Sequence, residues 1–73
     1  MTNTETIYQN IQKGETTYIF DDYEEAVIKI MPDGKNYIKP KGKTEFEIDS
    51  KAKRAFDIKL GGDIVSEEFY LNY

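Results

Sequence analysis

The chain has 73 residues, neither cysteine nor histidine, and a formal net charge of −4. A chain of this length holds one domain and buries only about 60% of its unfolded surface on folding, and it has no disulfide or Cys/His metal clip to support a small core. The residues most used as general base and as soft nucleophile are missing, which excludes the common His- and Cys-based catalytic sites.

The charge is segregated along the chain. Residues 1–34 hold seven acids and two lysines, residues 35–59 hold eight bases and four acids, and residues 60–73 hold three acids and no base. Such segregation steers association where it persists on the folded surface, and becomes an ordinary solvated surface where opposite signs meet in the fold. No apolar run reaches the roughly 20 residues of a membrane span, and the start, Met1-Thr2-Asn3-Thr4-Glu5, is polar rather than the basic opening of a signal peptide. The expected compartment is the cytoplasm.

Thr2 followed by Glu5 is a capping-box pattern, and Ile7, Tyr8 and Ile11 recur at helical spacing before Gly14, which predicts a helix over residues 3–13. Thr16 to Phe20 is β-branched and aromatic and predicts a strand with Tyr18 and Phe20 on one face, broken by Asp21 and Asp22. Residues 22–31 fit either a helix face or a strand. The turn chemistry of Pro32-Asp33-Gly34 favours a hairpin of residues 25–31 with 36–39, and Pro40, which has no ladder donor, requires the strand holding Tyr37 and Ile38 to end there or to lie at an edge.

Thr44, Phe46 and Ile48 alternate with Glu45 and Glu47, the clearest strand pattern in the chain. Ser50 is placed to cap a helix over residues 51–60, whose apolar stripe is Ala52, Ala55, Phe56 and Leu60 before the stop Gly61-Gly62. Ser66 then caps a short terminal helix with Glu67 and Glu68 in its first turn. This order indicates one α+β domain over residues 1–73, with an antiparallel meander of three or four strands packed against an N-terminal helix, a C-terminal helix and a short terminal helix. The expected core is Ile7, Ile11, Phe20, Ile28, Ile30, Phe46, Ile48, Ala55, Phe56 and Leu60.

Chemistry-bearing patterns are sparse. Both serines fall at expected helix caps, and a carboxylate pair for glycoside cleavage needs a long cleft that so short a chain can hardly wall. Asp21-Asp22-Tyr23-Glu24-Glu25 is dense in oxygen ligands but lacks the alternating spacing and bend glycine of a calcium loop. Gly61-Gly62 is followed by Asp63, not by the Lys and Ser or Thr of a phosphate loop. No catalytic residue, metal site or cofactor is assigned, and an enzyme is not expected.

Two surfaces remain. The acidic candidate joins Asp21, Asp22, Tyr23, Glu24 and Glu25 to Glu67, Glu68 and Tyr70, because carboxylates compete for a protein surface that holds phosphates and tyrosines add contact area at low entropic cost. The basic candidate is Lys35, Tyr37, Lys39, Lys41 and Lys43, with the 51–54 cluster, in the crude pattern of a single-strand nucleic-acid contact. One arginine and a pI near 4.7 argue against it, and lysines beside an edge strand also discourage aggregation. The reading that follows is an interaction module whose partner is another protein. The acidic, Lys-, Ile-, Asn- and Tyr-rich composition resembles that of phage and mobile-element proteins of low-GC bacteria, which implies an inhibitor of a host nuclease or defence complex acting in the bacterial cytoplasm. The alternatives are a nucleic-acid-binding accessory protein and a self-associating structural module, and the small core, Phe69-Tyr70-Leu71 and an unprotected strand edge leave a homodimer and a monomer equally expected.

Overall fold

The computed structural model describes residues 2–73, and its elements run α1 (Asn3–Gln12), β1 (Thr17–Asp21), β2 (Ala26–Ile30), β3 (Asn36–Pro40), β4 (Phe46–Ile48), α2 (Lys53–Gly61), β5 (Asp63–Val65) and α3 (Glu67–Asn72). The five strands form one antiparallel sheet in the order β4-β3-β2-β1-β5. The first four are the expected meander. β5 is an addition to it, reached when α2 carries the chain across the sheet to the far side of β1. Three residues after a double glycine give too short a pattern for strand periodicity to register.

Thr2 caps α1 in a complete capping box, with its backbone N–H donating to Glu5 Oε1 at 2.9 Å and the Glu5 N–H donating to Thr2 Oγ1 at 3.2 Å. Ser66 caps α3 through Oγ, which accepts from the Phe69 N–H at 3.1 Å. Ser50 does not cap α2. That position belongs to Ala52, which offers no side-chain bond, and Ser50 instead presents its carbonyl to Lys59 Nζ at 3.1 Å.

Strand register divides the sheet into two faces. Ile19, Ile28 and Ile38 stand opposite one another on β1, β2 and β3, and with Ile30 they form the core on the face covered by α1 and α2. Ala55 and Ile58 of α2 complete this core, while Ile7, Ile11, Ile48 and Ala52 pack around it half-buried. Tyr18, Phe20, Val27, Lys29, Tyr37 and Lys39 occupy the other face, over which α3 lies.

The expected core is corrected at four positions. Phe20 sits on the α3 face, and Phe46, Phe56 and Leu60 are each at least half exposed. Ile19, Ala26, Val27, Ile38 and Ile58 are fully buried in their place. Each residue turns a helix by about 100°, so burying Ala55 and Ile58 against the sheet rotates Phe56 and Leu60 outward toward α1.

Gly62 is required for a different reason from the expected helix stop. Its φ of −85° is open to any residue, but a Cβ there would lie 2.5 Å from Ile19 Cγ2 and 2.7 Å from the Phe20 carbonyl oxygen. The chain passes so close to β1 at this point that only glycine fits.

Candidate functional site

The acidic turn between β1 and β2 is built by its own side chains. Asp21 Oδ1 accepts from the Tyr23 N–H at 2.9 Å and from the Glu24 N–H at 3.2 Å, which closes an Asx turn. Glu24 is held from α2, where Arg54 Nε lies 3.3 Å from Glu24 Oε1 and Arg54 Nη2 donates to the Glu24 carbonyl at 3.0 Å. Glu25 has a left-handed φ of 50° and accepts from the Lys41 N–H through its carbonyl at 3.0 Å. Asp21 and Glu24 therefore shape the turn, and Asp22, Tyr23 and Glu25 face solvent, with Tyr23 91% exposed.

The second acidic segment is brought to the same side by aromatic packing. Phe20 meets Phe69 at 5.1 Å and Tyr73 at 5.5 Å between ring centroids, and Tyr18 meets Tyr70 at 5.2 Å. Tyr73 thereby comes beside the turn: burial and then the charges of Glu25 and Asp22 push its phenol above the ordinary tyrosine range. Glu67 Oε2 accepts from the Tyr18 hydroxyl at 3.3 Å, and Glu68 is exposed.

Tyr70 is 3% exposed and lies beneath the surface, not on it. Its hydroxyl donates to Glu45 Oε1, which also pairs with Lys29 Nζ at 2.9 Å. Burial, followed by the Glu45 hydrogen bond, pushes the Tyr70 phenol far up, and the same bond, with the Lys29 ammonium, holds the Glu45 carboxyl below the usual range. Phe20 and Tyr73 were not among the site residues expected from sequence. The alternation that placed Tyr18 and Phe20 on one strand face was the available signal, but nothing indicated that α3 would cover that face.

The basic segment does not form a continuous surface. Lys35 stands at the β2–β3 turn, whereas Lys41 and Lys43 lie beyond the far end of β3, about 17 Å away for a five-residue strand. Lys39 Nζ donates to the Tyr70 and Leu71 carbonyls at 2.9 and 3.1 Å, fastening the end of α3. Tyr37 is half-buried beneath the Lys29 ammonium, which lies 4.9 Å from its ring centroid. In the 51–54 cluster, Lys53 pairs with Asp57 at 2.7 Å and Arg54 is committed to Glu24.

Among the grooves on the surface of the described residues are two of different character. One, of about 550 Å³, lies beside the end of β4, lined by Lys35, Glu47, Asp49 and Ser50 among others, and it adjoins the buried Asn36, whose side-chain amide has no partner among the described residues. The other, of about 290 Å³, is an apolar channel between α1 and α2, lined by Ile7, Tyr8, Ile11, Phe56 and Leu60 with Thr4 and Lys59 at its rim. Among the described residues no cluster of carboxylates is disposed to hold a metal ion, and no helix is long and apolar enough to cross a membrane. Comparison with protein-family models, with curated proteins and with solved structures gives no match.

Proposed function

We propose that this chain is a non-enzymatic interaction module that binds another protein through the acidic and aromatic face formed by Asp22, Tyr23, Glu25, Glu67, Glu68 and Tyr73. The observation that carries this reading is the packing of Phe69 and Tyr73, which follow Glu67 and Glu68, on Phe20, which precedes the acidic turn. Carboxylates on a rigid aromatic base suit a partner whose surface is basic, because clustered negative charge steers encounter while the rings supply contact area. A protein surface that ordinarily holds nucleic-acid phosphates has that character. An inhibitor of a nuclease or of a nucleic-acid-handling defence complex, carried by a phage or mobile element, is the form of this function that the chemistry favours.

The nucleic-acid-binding alternative has less support, since Lys39, Lys53 and Arg54 are engaged with groups of the chain itself. A gel-shift titration at low salt against single-stranded DNA and RNA separates the two readings. The acidic-face reading expects no shifted complex. Tight binding that is lost on replacing Lys35, Lys41 and Lys43 would establish the alternative.

A further inference from the structure

The core face of the sheet holds a polar side chain that the fold does not use. Asn36 stands in register between Ile30 of β2 and Ile48 of β4, two residues from Ile38 on its own strand, and is 1% exposed. Neither its Nδ2 nor its Oδ1 has a hydrogen-bond partner among the described residues. Thr17, the other buried polar side chain among them, accepts from Asn10 Nδ2 at 2.9 Å. Folding strips water from the Asn36 amide and returns no bond, a cost that an apolar side chain of similar volume would avoid. A carboxamide kept under those conditions points to a partner supplied from outside the chain.

The approach is the groove of about 550 Å³ that Asn36 borders. The amide lies just beneath the groove floor, beside the end of β4, a strand of three residues that gives way to the exposed Asp49 and Ser50. Edge elements this short open locally at low cost, which brings the amide within reach of a ligand.

Groove chemistry selects the ligand. Asn36 presents a donor and an acceptor side by side, and the groups that answer both at once are a primary carboxamide and a nucleobase edge. A trans peptide bond points its N–H and C=O in opposite directions and answers only one. Among the described residues no aromatic ring lines the groove to stack a base. Charges of both signs line it instead: the Lys35 ammonium and the Glu47 and Asp49 carboxylates. Lys35 and Glu47 are exposed and form no ion pair among the described residues. Asp49 accepts the Lys51 N–H on Oδ1 at 2.8 Å, leaving its second oxygen available. A free α-amino acid carries the complementary pair, an ammonium for the carboxylates and a carboxylate for the lysine.

We infer that this groove binds a free amino acid with a carboxamide side chain, glutamine or asparagine. Its carboxamide pairs with the Asn36 amide, its ammonium faces Glu47 and Asp49, and its carboxylate faces Lys35. The charged contacts are exposed to water, so binding is weak, with dissociation on the order of 0.1–1 mM. The groove lies at the β3–β4 end of the sheet, and the inference stands whatever the acidic face binds.

Titration of isotope-labelled protein with glutamine to about 10 mM, followed through its nitrogen–hydrogen NMR correlations, tests this. The Asn36 side-chain amide signals are expected to shift and saturate with glutamine or asparagine, and to stay in place with glutamate, whose side-chain carboxylate offers no donor. Asn36→Leu is expected to melt at a higher temperature than the wild type and to bind no glutamine. Glu47→Lys, at an exposed edge position, reads the site whether or not Asn36→Leu folds, and is expected to weaken glutamine binding about tenfold. N-acetylglutamine amide, which lacks both charges, is expected to bind at least about tenfold more weakly than glutamine. Equal responses to glutamine and glutamate, equal binding of the acetylated amide, or a stronger response to adenosine or uridine would each overturn the inference. So would Asn36 signals that no ligand moves, as when an internal water satisfies the amide.

Discussion

Tyr70 donates its phenolic hydrogen to Glu45, 25 residues earlier in the chain, and Glu45 receives the Lys29 ammonium on the same oxygen. With Lys39 donating to the last carbonyls of α3, this network fixes the terminal helix across the sheet, and the terminal helix in turn positions Tyr73 beside the acidic turn.

Replacing Tyr70 by Phe keeps the ring packing on Tyr18 and removes the bond to Glu45. A hydrogen bond to a charged group contributes about 1.5–3 kcal/mol when buried, and the partial exposure of Glu45 reduces this to about 1 kcal/mol. The Glu45 carboxyl is held below its ordinary value of 4.5, so its contribution is present above the unfolded pKa and is lost as pH falls through the folded one. Thermal melts from neutral pH downward should show wild type and Tyr70→Phe separated at pH 7 and converging as pH falls below the carboxyl's ordinary value of 4.5. A constant separation at all pH values would place the effect in packing instead of in the carboxylate.

The adjacent glycines should respond in opposite ways. Gly61 lies within α2 with only a distant Asp21 oxygen near its Cβ position, at 3.8 Å. Gly61→Ala should therefore stabilise the protein by up to about 1 kcal/mol through helix propensity. Gly62→Ala places a methyl group against Ile19 and the β1 backbone and should cost about 1–3 kcal/mol. Denaturant melts of the two variants decide it, and similar stabilities would refute the close approach.

Arg54 should govern the order of the acidic turn without belonging to the contact surface. Arg54→Ala removes both bonds to Glu24 and, at a half-exposed position, should cost about 0.5–1.5 kcal/mol. Amide hydrogen exchange should accelerate at residues 22–25 more than in β1 and β2. Uniform acceleration across the sheet would show that Arg54 supports the whole fold and not the turn in particular.

Much of this architecture is legible in sequence where local rules and tertiary needs coincide. The Thr2–Glu5 capping box, the Pro32-Asp33-Gly34 turn and the Ser66 cap act over a few residues, and all are present in the structure, whereas β4 forms over Phe46–Ile48 only and leaves Phe46 half exposed where the alternation placed it inward. What was not legible depends on long-range packing. The side of the sheet that α3 covers decides whether Phe20 belongs to the main core or to the site, and the crossing of α2 decides whether Phe56 faces inward. The acidic face is an intermediate case. Its residues stood out by composition, but only the fold separates Asp21, Glu24 and Tyr70, which build the surface, from Asp22, Tyr23 and Glu25, which present it.

Binding of a protein by the exposed acidic and aromatic residues is tested by comparing capture by two immobilised chains. Wild type and the triple variant Asp22→Lys, Tyr23→Ala, Glu68→Lys are exposed to the same bacterial lysate at low and moderate salt, and the retained proteins are quantified by mass spectrometry. The substitutions spare Asp21, Glu24 and Tyr70, and exposed positions of this kind ordinarily change stability by less than about 0.5 kcal/mol. A protein with a basic surface should be held by the wild type, released as salt rises, and absent from the triple variant. Equal retention by both chains, or retention that salt does not weaken, would contradict it.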